Sequence, residues 1–112
     1  MANRITHTPV FENRCKRFLK KFPSLKNELA ILETDLLKNP VLGEPLGADL
    51  YKIRLASKDK VKGKSGGFRI ITYLLKEIDV SCEIYLIIIY DKSEESTINK
   101  SMLLKLIKSI FS

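Results

Sequence analysis

Hydrophobic positions along the chain change their period twice, dividing it into a helical first third, a strand-rich middle and a short helical end. Phe11, Cys15, Phe18 and Phe22 recur at steps of four, three and four, which gathers them on one face of a helix. Lys16, Arg17, Lys20 and Lys21 take the other side. Thr8-Pro9 is a good start for that helix: a hydroxyl able to accept a first-turn N–H, then a proline whose fixed φ suits the first helical position. Pro23 breaks the helix and Ser24 is placed to cap the next one. There Leu25, Leu29, Leu32 and Leu36 repeat the spacing until Asn39-Pro40 stops it. The two segments predict a helical hairpin.

From Val41 to Asp49 the chain carries Gly43, Pro45 and Gly47, which reads as a loop. The period then drops to two. Leu50 to Ala56 puts Tyr51, Ile53 and Leu55 on one side of a strand and Lys52 and Arg54 on the other. A turn rich in Lys and Gly, Lys58 to Gly67, leads to a second strand, Phe68 to Lys76. After a polar turn from Lys76 to Ser81 comes a third strand, Cys82 to Asp91. Its core, Ile84 to Ile89, is apolar on both faces, as expected of a central strand covered on both sides. Arg4 to Thr6 fits a short edge strand. Asn99 can cap a last helix with Leu103, Leu106, Ile107 and Ile110 as its apolar stripe. This order predicts one α+β domain over residues 1–112: a helical hairpin packed on a small, mainly antiparallel sheet, plus a short C-terminal helix. Helices are expected on one sheet face, with the other partly open.

Composition supports a folded chain, with 45% hydrophobic and 29% charged residues in 112. The apolar run Ile84–Tyr90 is far short of the roughly 18 to 20 residues needed to span a bilayer. The N-terminus has no apolar stretch of signal-peptide length, so a cytoplasmic protein is expected. Cys15 and Cys82 stand alone in apolar contexts, as two small buried hydrophobes rather than a zinc site or a disulfide framework. His7 is the single histidine, which removes His pairs, Ser/His/Asp triads and multi-His metal sites.

Charge gives the first positive indication of function. Twenty Lys and Arg against thirteen Asp and Glu leave +7 on a small domain, a potential that attracts phosphate-bearing or acidic partners. Gly63-Lys64-Ser65 ends like a phosphate-binding P-loop but fails as one: position 58 is Lys58 where the first glycine belongs, and the loop joins two strands. A better constellation is cationic. Lys52 and Arg54 share a strand face, Lys58, Lys60, Lys62 and Lys64 crowd the next loop, and Arg69 starts the returning strand. Tyr90, Asp91 and Lys92 close the neighbouring one. Cations for phosphates and a ring for a base are what single-stranded RNA requires, while the same residues also suit a solvated basic loop.

The segments Leu50-Tyr51-Lys52-Ile53-Arg54-Leu55-Ala56, Gly63-Lys64-Ser65-Gly66-Gly67-Phe68-Arg69-Ile70-Ile71-Thr72-Tyr73 and Ile89-Tyr90-Asp91-Lys92-Ser93-Glu94 closely resemble the RelE/HigB branch of bacterial toxins from type II toxin-antitoxin modules. The helical hairpin and its Asn39-Pro40 plus Gly43 exit look like that family too, so the resemblance covers nearly the whole chain. It implies a RelE-like fold and an endoribonuclease that cuts mRNA in the ribosomal A site under the control of a cognate antitoxin. The family's cationic strand falls on Lys52 and Arg54, its next-strand arginine on Arg69, and the basic turn of the HigB-like members on Lys64. One feature departs from the pattern. Several RelE members carry a base-stacking tyrosine near the start of the last helix, where this chain has Thr97-Ile98-Asn99, leaving Tyr90 as the substitute.

The chemistry implied needs no metal or cofactor. A ribose 2′-OH attacks the adjacent phosphate, leaving a 2′,3′-cyclic phosphate and a 5′-OH. Arg54 and Arg69 would hold the charged phosphorane-like transition state, since a guanidinium fork binds two oxygens. With no histidine in the cluster, the proton acceptor would be a crowded lysine, Lys52 or Lys64, or else Asp91, and Lys92 would serve the leaving oxygen. Lys58, Lys60, Lys62 and Asp91 complete the expected RNA-binding set. Two other readings are open: a ParE-like, non-enzymatic inhibitor of DNA gyrase, which shares the fold but lacks an assembled cationic set, so that the dense Lys/Arg face favours RNA, and an RNA-binding domain without turnover.

Overall fold

A computed structural model describes residues 3–59, 67–76, 81–92 and 98–111. Its elements follow the periodicities closely. Strand β1 (Arg4–His7) leads into helix α1 (Pro9–Lys21) and helix α2 (Leu25–Lys38). Strands β2 (Glu44–Gly47), β3 (Leu50–Leu55), β4 (Phe68–Lys76) and β5 (Cys82–Asp91) come next, then helix α3 (Lys100–Phe111). Among the described residues they form a five-stranded sheet in the order β1-β5-β4-β3-β2, with β1 parallel to β5 and the other pairs antiparallel.

Thr8 fixes how α1 meets the sheet. Its side chain accepts from the Phe11 N–H at 3.2 Å and donates to the carbonyls of Leu86 and Ile87, each at 2.9 Å. One buried hydroxyl therefore caps the helix and ties it to β5. The hairpin then buries Phe11, Cys15, Phe18, Leu25, Leu29, Leu32 and Leu36 against Ile53, Phe68, Ile70, Leu74, Ile84, Leu86 and Ile89. Each large side chain so removed from water contributes about 1.5–3 kcal/mol.

Three expectations need correction. Helices cover both faces of the sheet: the α3 residue Leu103 packs with Leu50, Ile71, Ile87, Ile88 and Tyr90, which point away from the hairpin. The sequence stripe on α3 was legible, but the sheet face it would choose was not. Within the expected loop Val41 to Asp49 lies β2, an edge strand joined to β3 through Ala48 and Asp49, both at positive φ (56° and 63°). Pro45 is tolerated there because an edge strand has one unpaired side. Finally, the Ser24 side chain does not cap α2. Its backbone N–H instead donates to the Asp59 carboxylate at 2.7 Å, so the acid comes from the segment after β3.

Strand β5 is buried along most of its length, as its apolar run predicts, although the middle place in the sheet belongs to β4. The parts of the expected turns at 60–66 and 77–80 lie outside the described residues. No helix among the described residues is long and apolar enough to cross a membrane.

Candidate nucleic-acid interface

Strand alternation decides which cations share a surface. On β3, Tyr51, Ile53 and Leu55 turn toward the helical hairpin, so Lys52 and Arg54 turn to the α3 face together with Leu50. On β4, Phe68 and Ile70 face the hairpin and Arg69 between them faces the other way. Arg54 stands opposite Arg69, and Arg69 stands opposite Tyr90, so three strands bring one residue each to a single transverse row. Adjacent strands lie about 4.8 Å apart. The next row on the same face runs Glu44, Lys52, Ile71, Ile88.

The return of the chain into this row depends on a glycine. Gly67 has φ +78°, and a Cβ there would come within 2.2 Å of the Leu55 carbonyl oxygen. No side chain fits this approach, which lets Phe68 and Arg69 pair directly with Leu55 and Arg54.

The members of the row differ in access. Arg54 is exposed and Lys52 half-buried. Arg69 is 7% exposed, with its Nη1 donating to the Phe68 carbonyl at 3.3 Å. Tyr90 is 1% exposed and belongs to the cluster under Leu103, so its ring offers no open face to a base in this conformation. Lys92 follows the end of β5 and is half-buried. Asp91 is not gathered with the others. It is buried opposite Phe68, and directly opposed residues share a face, so it lies on the hairpin side of the sheet. Lys58 is exposed, but its N–H donates to Glu28 at 2.8 Å, which carries that segment toward α2. Lys60, Lys62 and Lys64 lie outside the described residues.

Beside the exposed end of the cationic strand is an opening of about 470 Å³ between α2 and β3, bordered by Glu28, Asp35, Glu44, Lys52 and Arg54. Glu44 was not anticipated as part of a site, because the segment 41–49 reads as a loop. Its carboxylate lies 3.8 Å from the Lys52 ammonium. The signal that marks it is the spacing of two between Glu44 and Leu46, the period of one strand face.

The remaining reactive side chains sit elsewhere. Cys15 and Cys82 are free thiols, the first buried in the hairpin core. Burial, followed by the nearby carboxylates of Glu33 and Glu12, pushes the Cys15 thiol above its usual pKa. His7 contacts Glu33 at 2.9 Å and stacks on Phe11, on the hairpin side rather than in the cationic row.

No family model matches the sequence. In three dimensions the chain is similar to the E. coli toxin RelE in the free state, solved as a mutant with two arginines replaced by alanine. The match has a TM-score of 0.57 over 98% of this chain and 99% of that one, at 17% identity. The fold is therefore RelE-like: α+β, with an N-terminal helical hairpin and a C-terminal helix on a five-stranded sheet.

Proposed function

We propose that this protein is the toxin of a type II toxin-antitoxin module, a metal-independent endoribonuclease that cuts mRNA in the ribosomal A site and is neutralised by a cognate antitoxin. The observation that carries the reading is the Arg54–Arg69 pair. The register sets the two arginines directly opposite one another on the α3-side face, with Lys52 in the next row, which gathers three cations on one surface. Guanidiniums pair well with anions that offer two oxygens, and a phosphodiester is such an anion. The RelE-like fold supports the same reading.

In this mechanism Arg54 and Lys52 meet the RNA backbone at the surface, and Arg69 supports the scissile phosphate from behind. The 2′-OH loses its proton as its oxygen bonds to phosphorus. The P–O5′ bond breaks, and the departing oxygen takes up a proton, giving a 2′,3′-cyclic phosphate and a 5′-OH. Positioning of the in-line 2′-OH and stabilisation of the phosphorane charge supply the acceleration. With Asp91 on the opposite face and Lys52 paired as a cation with Glu44, the proton acceptor falls to Lys64, with Lys92 near the leaving oxygen. The antitoxin is expected to offer acidic surface to a chain of charge +7.

The test is to add the protein to translating ribosomes and map new mRNA 5′ ends. Cuts at A-site codons are expected. Intact mRNA with stalled DNA replication would favour a gyrase inhibitor, and intact mRNA with neither effect would leave a plain RNA-binding domain.

A further inference from the structure

Resting on the reading of the Arg54–Arg69 face as an RNA site, we propose that Glu44 is a positioning residue for Lys52: its carboxylate holds the ammonium at the rim of that face until an RNA phosphate displaces it. Glu44 stands directly opposite Lys52 on the edge strand, so both side chains share the cationic face. Their charged atoms are 3.8 Å apart, with 63% of the Glu44 side chain and 27% of the Lys52 side chain exposed. A solvent-reached pair of this kind is weak enough for a second anion to replace one partner.

Lysine needs such an anchor more than arginine does. Its ammonium is a point charge on a flexible four-carbon stem, whereas a guanidinium fork carries its own geometry. Arg54, one residue along the same face, has no directly paired residue on β2, because pairing ends at Glu44. The backbone also brings the start of β2 close to Lys52. Gly43 has φ +104°, and a Cβ there would lie 2.6 Å from the Lys52 carbonyl oxygen. Only glycine lets the chain enter β2 so close to Lys52, and the next residue is the carboxylate.

Exchange of one anion for another makes a prediction about salt. Once displaced, the Glu44 carboxylate remains tethered on the edge strand close to the bound phosphate, which is therefore only partly neutralised and keeps part of its counterion atmosphere. Without Glu44, neutralisation and counterion release are more complete. The experiment is a double-mutant cycle on Glu44→Gln and Lys52→Gln, measuring equilibrium binding of a short single-stranded RNA with 2′-deoxy sugars at the cleavable positions, over a range of salt. With Lys52 present, Glu44→Gln is expected to tighten binding about two- to five-fold at low salt. It should also steepen the slope of log K against log salt by up to about 0.7. In the Lys52→Gln background the same change should leave the slope unaltered and shift affinity less. Glu44→Thr, a strand-forming residue at the same exposed position, provides a second neutral variant if the first fails to fold.

Equal effects in the two backgrounds would overturn the proposal. Weaker RNA binding by a Glu44 variant of unchanged melting temperature, or no RNA binding by any protein of the cycle, would also overturn it. If the cycle holds while mRNA on ribosomes stays intact, the nuclease reading fails and the role of Glu44 in RNA binding stands.

Discussion

Opposed guanidiniums on neighbouring strands leave a signature in stability. Removing one charge by Arg54→Gln relieves the repulsion with Arg69 and is expected to raise the unfolding free energy by up to about 1 kcal/mol. Adding inorganic phosphate should stabilise the wild type more than this variant. Urea titrations with and without phosphate measure both effects, and a variant less stable than wild type would contradict the argument. Cys15 makes a separate test at the same scale. Its folded pKa lies above the unfolded value, so its contribution to stability is complete below the unfolded pKa and is lost as the pH rises through the folded one. At pH 8 the native thiol should therefore alkylate far more slowly than the urea-unfolded one. Equal labelling rates, read by mass spectrometry, would show that the hairpin core does not shield it.

Elements were legible where side-chain period and backbone chemistry agree. Thr8-Pro9, the Leu25 to Leu36 ladder and the β4 and β5 boundaries all follow from spacing, because a buried stripe leaves few alternatives. Strand β2 was hidden because its turn puts Ala48 and Asp49 at positive φ, where Gly and Asn are the usual signals. The cap of α2 was missed for another reason: the acid that meets its first N–H is Asp59, 35 residues away, and local reading finds only Ser24. The cationic row was partly legible. Alternation put Lys52 and Arg54 on one face, and sequential pairing brought Arg69 beside them. The assignment of Asp91 to the opposite face required the register itself. Gly67 shows how tightly that register is held. Gly67→Ala adds a Cβ 2.2 Å from the Leu55 carbonyl at a strained φ, and should cost about 1–3 kcal/mol. An unchanged urea midpoint would mean that the chain reaches β4 by another path.

At the scale of the whole molecule, the hairpin and α3 sandwich the sheet and leave the Arg54 end of its α3-side face as an exposed cationic border. The apolar rows carry the stability, and the opposed arginines stand near the ends of β3 and β4. That placement makes Arg54 and Arg69 a unit, because each holds the same phosphate in the proposed transition state. Residues that act as a unit lose activity together rather than in sum. The decisive measurement is single-turnover cleavage of mRNA on ribosomes with a defined A-site codon, comparing wild type, Arg54→Ala, Arg69→Ala and the double variant. The account predicts that either single change lowers the rate by at least about 100-fold, on the order of the loss of one transition-state donor, and that the double variant is little worse. Cleavage at the wild-type rate by Arg54→Ala or Arg69→Ala would contradict it.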